Sequence, residues 1–265
     1  MVSINFLYRM YPLVQDMKNR IKAGEIGKVH LAQGSYLQDW LLYDTDYNWR
    51  IEPEAGGPSR CMADIGSHWI DCVQVVTGAK VVKVCADLVT VHQVRKKPKN
   101  QLETFSINNN EEYENKEVKT EDFGTVLFEL ENGVHGMLCA SQVSAGHGNF
   151  QNFEFSGNKA SMCWNQERAD EMWIGYRNKA NSLVKRNTNH LCEEAKKYSY
   201  LAAGHPEGWN DAMFNNVISI YRYIAEGKVL GKDECDFATF EDGHYLVRVI
   251  ESILESSKTK RWIEI

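Results

Sequence analysis

The segment MADIGSHWID, residues 62–71, places a carboxylic acid and an imidazole four positions apart, at Asp64 and His68. On an α-helix two such side chains lie one above the other, so the carboxylate can fix the imidazole tautomer while the ring reaches outward. This arrangement suits a general base, because histidine titrates at about pH 6.5, near working pH. The same spacing is also typical of solvated helical ion pairs that do no chemistry. A metal site needs a third ligand, and no zinc spacing such as H-E-x-x-H is completed nearby.

Three further features bear on a ligand site. An aromatic-rich loop, WLLYDTDYNWR, contains Trp40 and Trp49, which either line a pocket or cover the core. The pair Gly56 and Gly57 is typical of a tight loop, although paired glycines also let a backbone approach a ligand closely. His205, in the segment GHPEGW, precedes a predicted helix, where a loop side chain can point into a cleft or remain solvated.

The composition excludes several classes of protein. The 265 residues, 43% of them hydrophobic, suffice for one large domain or two small ones with a buried core. A net charge of −6 without a cluster of basic and aromatic residues disfavours nucleic-acid binding. The sequence contains no apolar run of transmembrane length, no signal peptide and no C-x-x-C pair among its seven cysteines. We therefore expect a cytoplasmic protein with reduced thiols that binds neither nucleic acid nor a membrane.

Periodicity predicts the elements that position the candidate residues. Residues 2–9 and 28–39 are each predicted to form a strand, with a helix between them that begins at Pro12 and ends at Gly24. A second helix is predicted from residue 61 to residue 76 and carries Asp64 and His68 on a face away from its apolar stripe. That stripe consists of Ile65, Trp69, Cys72, Val73 and Val76.

Strands dominate the middle of the chain and helices its end. Residues 81–91 are β-rich, and residues 125–130 and 134–140 flank an Asn-Gly turn that predicts a hairpin. FEFSGNKASMCW predicts another hairpin, and helices follow over residues 209–224 and after a capping box at Thr239. The pattern indicates an α+β fold with a mainly antiparallel sheet. The polar segments 95–122 and 178–200 are predicted to be long surface loops.

The sequence contains no motif typical of nucleotide binding or of a serine nucleophile. No G-x-G-x-x-G follows a strand and opens a helix, and neither a phosphate-binding G-x-x-x-x-G-K-[ST] loop nor a G-x-S-x-G nucleophile elbow occurs. The residues alone therefore predict no dinucleotide site.

The order of motifs nevertheless resembles that of the Gfo/Idh/MocA oxidoreductases, the glucose-fructose oxidoreductase and inositol dehydrogenase family. The resemblance covers nearly the whole chain, from NFLYRMYP through QGSYLQDW, NWR, DIGSHWID and the E-D-x-x-x-V-x-F-E-x-E-N-G hairpin to GHPEGW. It implies a Rossmann domain for NAD(P) followed by an α+β domain with helices on one face of an open sheet, whose other face commonly forms the oligomer interface. On this basis residues 1–10 are the remnant last strand of a nucleotide-binding domain, and residues 11–265 form the substrate, catalytic and oligomerisation domain.

The resemblance also implies roles for individual residues. By motif position Asp64 and His68 match the family's catalytic acid and histidine, with His68 taking the proton of an alcohol while hydride leaves the same carbon for nicotinamide. Four residues fall in segments where such enzymes hold a sugar or cyclitol: Tyr8, Gln38, Arg50 and His205. The fingerprint glycines and the E-K-P segment with its catalytic lysine are missing from this sequence.

These observations lead to one main expectation and two alternatives. The chain is expected to be the catalytic and substrate-binding half of an NAD(P)-dependent oxidoreductase that acts on a CH-OH group of a sugar or cyclitol. We expect it to form a homo-oligomer, to bind no NAD(P) or metal by itself, and to be inactive alone. It is expected to be either a truncated form or the product of a split or decayed gene. The first alternative is a non-catalytic sugar-binding or oligomerisation module, and a metal-dependent isomerase or lyase is a distant third.

Overall fold

The computed structural model describes residues 2–99 and 112–265. The elements of the first part are, in chain order, a 3-10 helix Leu7–Met10, α1 Pro12–Lys22, β1 Val29–Leu37, a 3-10 helix Trp49–Ile51, α2 Pro53–Gly56, a π-helical turn Met62–Gly66, α3 Ser67–Thr77 and β2 Val81–Val89. The strands that follow are β3 Val94–Pro98, β4 Tyr113–Glu117, β5 Phe123–Leu130, β6 His135–Ser141, β7 Phe150–Gly157, β8 Ala160–Asn165, β9 Glu171–Tyr176 and β10 Ser182–Lys185. The last elements are α4 Glu193–Lys196, α5 Trp209–Ala225, α6 Phe240–Thr259 and β11 Ile263–Glu264.

A large sheet organises the described part of the chain. Its strand order is β10-β9-β8-β7-β1-β6-β5-β2-β11, and all neighbouring pairs are antiparallel except β1 and β6. In that parallel pair Gln33 lies opposite Met137 and Ser35 opposite Cys139. The mainly antiparallel α+β architecture predicted from the sequence is confirmed.

The helices cover one face of this sheet. Helix α3 contacts β1 and β7, α1 contacts β8, and α6 contacts β2. Large rings fill the layer between them, with Trp69 on α3 packed edge to face on Phe128 of β5 at a centroid distance of 5.8 Å. On the other face Leu127 and Met137, which are register partners on β5 and β6, are 48% and 46% exposed. Among the described residues, none of the helices is long and apolar enough to cross a membrane.

Local signals in the sequence account for several element boundaries. Gly78 ends α3 in the left-handed conformation at φ 65°, and Gly133 turns the β5–β6 hairpin at φ 81°. Thr239 and Asp242 form the capping box at the start of α6. The predicted hairpins and the predicted helices after Pro12, Cys61, Gly208 and Thr239 are all present.

The prediction of a strand over residues 2–9 is wrong. Only Ile4 forms a β-bridge, to Ala238, and Leu7–Met10 is a fully buried 3-10 helix against α5. A strand needs a neighbouring strand along its length, and helices occupy that space here.

The two predicted long loops also contain ordered elements. Segment 95–122 contributes to the ribbon β3–β4, and its residues 100–111 lie outside the described residues. Segment 178–200 contains β10 and α4. Both segments are polar because their short elements keep one side in solvent. Composition alone does not distinguish such elements from a loop.

Helix α5 has its polar and apolar faces reversed relative to a usual surface helix. Its buried residues include Asn215, Asn216 and Ser219, whereas Tyr221 and Ile224 are 67% and 48% exposed. The buried Asn215 amide donates to the carbonyls of Met10 and Tyr198 at 3.1 and 2.8 Å, which satisfies its two amide protons, while its Oδ1 has no hydrogen-bond partner. The apolar outer face of α5 is therefore uncovered in this chain.

Candidate functional site

The candidate residues surround a cavity of about 270 Å³ at the end of the sheet where β1 and the π-helical turn meet. Its lining consists of Asn5, Leu7, Tyr8, Tyr36, Gln38, Trp40, Arg50, Asp64, Ile65, His68 and Trp209. A volume of this size is just below the usual range of ligand pockets, about 300 to 1,000 Å³, and suits a small ligand. The structure thus brings together five of the six predicted site residues.

The π-helical turn places Asp64 and His68 on the cavity wall. The backbone N–H of Ser67 bonds to the carbonyl of Met62, five residues earlier, and α3 then continues the chain as a regular helix. Ile65 and Trp69 are buried under this segment, which turns the polar residues toward the cavity. Such local widenings of a helix are frequent at functional sites.

Asp64 and His68 are not joined by a hydrogen bond or an ion pair, contrary to the prediction that the carboxylate fixes the imidazole. Asp64 Oδ2 accepts a hydrogen bond of 2.8 Å from Gln142 Nε2, and Oδ1 lies 3.3 Å from Arg50 Nε. A guanidinium and an amide give a carboxylate stronger hydrogen bonds than a neutral ring does. Burial raises the pKa of Asp64, and Arg50 and Gln142 oppose that rise.

His68 is held by aromatic rings instead. The rings of Phe6 and Tyr8 meet it edge to face, each with a centroid distance of 5.2 Å. Its Nδ1 is shielded from solvent and has no hydrogen-bond partner. Burial lowers the pKa of His68 to about 4, so the imidazole is neutral at physiological pH and has a free ring nitrogen.

Arg50 is fixed from three sides. Its guanidinium lies over the ring of Trp49 at 4.6 Å, pairs with Asp64, and donates through Nη1 to Asn48 Oδ1 at 3.2 Å. The Gly56 position is packed so closely that a Cβ there would lie 2.9 Å from the Arg50 carbonyl oxygen. Gly56, the last residue of α2, therefore serves close packing beneath Arg50, whereas Gly57 ends the helix in the left-handed region at φ 86°.

A hydrogen-bonded polar wall forms the opposite side of the cavity. Gln38 Oε1 accepts from the Trp40 indole at 2.8 Å, and Gln38 Nε2 donates to Asn149 Oδ1 at 2.9 Å. Tyr36, two residues before Gln38 on β1, donates to the same Asn149 oxygen at 2.7 Å, and Tyr8 lies 2.6 Å from Tyr36. The lining thus presents hydroxyl and amide groups beside an aromatic ring.

The sequence prediction missed Tyr36, Gln142 and Asn149, which hydrogen-bond to the predicted site residues or to each other, and also Asn5 and Trp209, which line the cavity. The two-residue period of a strand places Tyr36 on the same side as Gln38, so this neighbour was accessible to sequence reasoning. Gln142 and Asn149 lie more than 70 residues from the side chains that they hold, at sequence separations of 78 from Asp64 and 111 from Gln38. No local pattern indicates such contacts.

A buried ion cluster supports the aromatic loop behind the cavity. Asp122 pairs with Arg60, just before the π-helical turn, and with Arg95 of β3 at 2.7 Å, and all three side chains are fully buried. Arg95 also donates to the carbonyls of Leu41 and Tyr43 in the loop that carries Trp40. The two guanidinium groups hold the pKa of the Asp122 carboxyl below its ordinary value against the effect of burial.

His205 and Trp49 are not part of the cavity lining. His205 lies in an exposed loop before α5, where its carbonyl accepts a hydrogen bond from the buried Arg186. Trp49 is 52% exposed and contacts the site only through its stack with Arg50. A role for His205 in ligand binding stays a prediction.

The lining has balanced charge and no metal-binding cluster. Arg50 and Asp64 are the charged residues that line it, and they neutralise each other. Over residues 2–99 and 112–265, no group of three His, Cys, Asp or Glu residues is placed to hold a metal ion. The arrangement can therefore bind an uncharged ligand rich in hydroxyl groups and accept a proton at a neutral imidazole.

Comparison with known proteins identifies the family. The sequence model of the GFO/IDH/MocA C-terminal domain matches residues 14–163, more than half of the chain. The chain belongs to the Gfo/Idh/MocA family. The resemblance seen in the sequence motifs is thus confirmed.

Several Gfo/Idh/MocA relatives have been characterised or solved. The levoglucosan dehydrogenase of Pseudarthrobacter phenanthrenivorans is 23% identical over 275 residues, which cover 99% of this chain and 66% of that protein. A solved complex of levoglucosan dehydrogenase with NADH and levoglucosan superimposes with a TM-score of 0.83 at 23% identity, over 99% of this chain and 66% of that one. An inositol dehydrogenase homologue from Azotobacter vinelandii, complexed with NADH and myo-inositol, gives a TM-score of 0.81 at 19% identity, over 100% and 64%. The chain spans just under two thirds of the length of these relatives.

Proposed function

We propose that this chain is the substrate-binding and proton-accepting part of an NAD(P)-dependent oxidoreductase that oxidises a CH-OH group of a sugar or cyclitol. The observation that carries the proposal is the cavity that combines a neutral His68 with a charge-balanced, hydroxyl- and amide-rich lining. Asp64 and His68 are its proposed catalytic residues, and Tyr8, Gln38 and Arg50 its proposed binding residues. The relatives solved with levoglucosan and with myo-inositol support a polyhydroxylated substrate class.

Each residue has a distinct proposed task. Gln38 and Tyr8 hydrogen-bond the hydroxyl groups of the ligand, and the Trp40 ring packs on its apolar face. The unprotonated His68 accepts the hydroxyl proton while the hydride leaves the same carbon, which becomes a carbonyl carbon. Asp64 holds the Arg50 guanidinium at the rim, so that the ligand meets a fixed hydrogen-bond donor with no net charge.

The residues of this chain do not fit a whole dinucleotide. The cavity beside His68 measures about 270 Å³, which suits a single sugar ring, and the sequence lacks the glycine turn that cradles a pyrophosphate. We propose that NAD(P), which accepts the hydride, is held by a separate nucleotide-binding domain. The division into residues 1–10 as the end of such a domain and residues 11–265 as the substrate domain is part of this proposal.

We also propose that a second copy of the chain covers the open face of the sheet, where Leu127 and Met137 are exposed. We propose that the protein works in the cytoplasm. All seven cysteines lie within the described residues and are free thiols, which is typical of a reducing compartment.

One observation favours a second candidate function. Because no hydrogen bond orients His68 through Asp64, the same cavity also suits a non-catalytic sugar-binding module. The two functions share the ligand and differ in whether His68 takes part in a reaction.

The test joins the chain to a nucleotide-binding domain, for example that of the Pseudarthrobacter levoglucosan dehydrogenase, and follows NADH formation with levoglucosan and myo-inositol. We expect turnover, and His68→Ala should lower it by about 10²- to 10⁴-fold, the usual loss on removing a general base. His190→Ala, at an exposed loop position far along the chain from the site, is the matched control. Polyol binding without turnover, or turnover that His68→Ala leaves unchanged, would favour the binding-module alternative.

A further inference from the structure

Behind the polar wall of the cavity, three side chains form a closed ring of hydrogen bonds. Tyr36 OH donates to Asn149 Oδ1 at 2.7 Å, and Asn149 Nδ2 donates to Tyr8 OH at 3.0 Å. The Tyr8 and Tyr36 oxygens are 2.6 Å apart, which closes the ring. Tyr8 and Tyr36 are only 4% and 2% exposed, so loss of one of these partners leaves a largely buried polar group.

The ring has one direction. A tyrosine hydroxyl has a single proton, and that of Tyr36 is used on Asn149. The short contact between the two hydroxyl oxygens therefore requires the proton of Tyr8, which points at Tyr36 and away from the cavity. Asn149 Oδ1 is saturated as well, because it also accepts from Gln38 Nε2. Reversal of the ring would leave one of these buried donors without an acceptor.

The direction of the ring decides what Tyr8 offers to a ligand. Its proton is committed to Tyr36, and one of its two lone pairs accepts from Asn149. One lone pair remains, and Tyr8 lines the cavity together with Trp209, so a ligand hydroxyl in the cavity can donate to it.

We propose that Tyr36 and Asn149 are positioning residues that make the Tyr8 hydroxyl an obligate hydrogen-bond acceptor, so that a bound polyol must direct one of its own hydroxyl protons at it. This inference rests on the proposed function and deepens it. It assigns a polarity to one subsite: a group that only accepts hydrogen bonds is rejected there.

The test compares levoglucosan with its monodeoxy and monodeoxyfluoro analogues at each hydroxyl position, by calorimetric titration of the full chain. A hydroxyl donates and accepts, a carbon-bound fluorine accepts only, and a methylene does neither. At the position that faces Tyr8, both analogues should bind about 3- to 10-fold more weakly than levoglucosan because each lacks the donor, and the deoxyfluoro analogue should bind no better than the deoxy analogue because fluorine sets an acceptor against an acceptor.

Two variants test the positioning residues. Tyr36→Phe removes the acceptor for the Tyr8 proton. Asn149→Ala removes the acceptor for the Tyr36 proton, which then turns to Tyr8. In both variants Tyr8 becomes able to donate a hydrogen bond to the ligand. The deoxyfluoro analogue at that position should then bind more tightly than the deoxy analogue. A purely structural role would weaken all ligands together and leave the ratio of the two analogues unchanged. Tyr221→Phe, on the exposed face of α5, is the matched control.

The possible outcomes separate this inference from the proposed function. The ring is supported if the deoxyfluoro analogue binds no better than the deoxy analogue to the wild type and binds better than the deoxy analogue to both variants. Ratios that already favour fluorine in the wild type, or that no variant changes, overturn the ring alone. If either variant fails to fold, Tyr8→Phe replaces it. In Tyr8→Phe the difference in affinity between levoglucosan and the two analogues at that position should disappear. A difference that persists in this variant overturns the ring. Absence of any polyol binding by the wild type overturns both the ring and the proposed function.

Discussion

The imidazole of His68 lies in a setting that strongly favours its neutral form. Its neighbours are the rings of Phe6 and Tyr8, its Nδ1 is shielded, and no carboxylate contacts it. Burial alone lowers the pKa of His68 from 6.5 to about 4. A base with these properties is unprotonated throughout the neutral range and does not retain a proton that it accepts.

This setting predicts a pH dependence of stability that belongs to His68. In the unfolded chain the residue titrates near 6.5, and in the folded chain near 4, so the unfolded state binds the proton more tightly between these values. The contribution to stability is therefore complete above about pH 6.5 and is lost as the pH falls toward 4. Between pH 7 and pH 5 the loss should be about 2 kcal/mol in the free energy of unfolding.

Urea unfolding of the wild type and of His68→Gln at both pH values measures this effect. The variant has no titrating group at this position, so its stability should fall by about 2 kcal/mol less than that of the wild type. Other groups titrate equally in both proteins and cancel in the comparison. Parallel losses in the two proteins would show that His68 is not buried in its neutral form.

At this scale the sequence predicted which residues meet but not how they pair. Asp64 and His68 were identified from a local motif, and both line the cavity. The partners of Asp64, which are Arg50 and Gln142, come from the 3-10 helix Trp49–Ile51 and from the residue that follows β6. These contacts depend on tertiary packing, and a four-residue spacing holds no information about them.

At the scale of elements, Asp122 links three parts of the chain that do not otherwise share a sheet. It bonds to Arg60 before the π-helical turn and to Arg95 of the β3–β4 ribbon, and Arg95 in turn holds the loop of Trp40. With the carboxylate removed, two fully buried guanidinium groups would lose their counter-charge. Breaking a buried pair in this way is far more costly than breaking an exposed one.

We therefore expect Asp122→Ala to lower the free energy of unfolding by about 3 to 5 kcal/mol. The matched control is Asp87→Ala, whose exposed pair with Lys260 should contribute less than about 1 kcal/mol. Chemical unfolding of the three proteins at one pH gives both values. Equal small losses of stability in the two variants would mean that Asp122 is not the counter-charge on which the two guanidinium groups depend.

The elements that could be predicted are those with local signals. The Asn-Gly turn, the capping box of Thr239 and the C-terminal Gly78 each fix a boundary within a few residues of the chain. The β3–β4 ribbon and the N-terminal 3-10 helix have no such signal, since their conformations follow from the elements that lie beside them. Propensity is a weak guide where tertiary contacts decide.

At the scale of the whole molecule, two apolar surfaces lack a partner within this chain. The open face of the sheet exposes the register pair Leu127 and Met137 above a broad concavity of about 760 Å³, and the outer face of α5 exposes Tyr221 and Ile224. Soluble proteins rarely leave such surfaces uncovered. We proposed above that a second copy of the chain covers the sheet face, where Leu127 and Met137 are exposed.

We predict that the chain is a dimer or larger at micromolar concentration and that Met137→Lys dissociates it, because a lysine ammonium cannot be buried at the centre of an apolar contact. Light scattering should then give a mass of at least twice 30.4 kDa for the wild type and 30.4 kDa for the variant. The control Tyr221→Lys should keep the mass of the wild type. A monodisperse wild-type monomer, or dissociation by Tyr221→Lys alone, would contradict the sheet face as the interface.

Calorimetric titration of the 265-residue chain shows whether it has a sugar site and lacks a dinucleotide site. We predict saturable binding of levoglucosan or myo-inositol that is lost in Gln38→Ala and kept in Gln33→Ala, a control on the open face of the sheet. NADH and NADPH should show no saturable binding below millimolar concentration, because contacts at one end of a dinucleotide do not offset the entropy lost on fixing it. A micromolar dissociation constant for either nucleotide, or no binding of either polyol, would contradict the account.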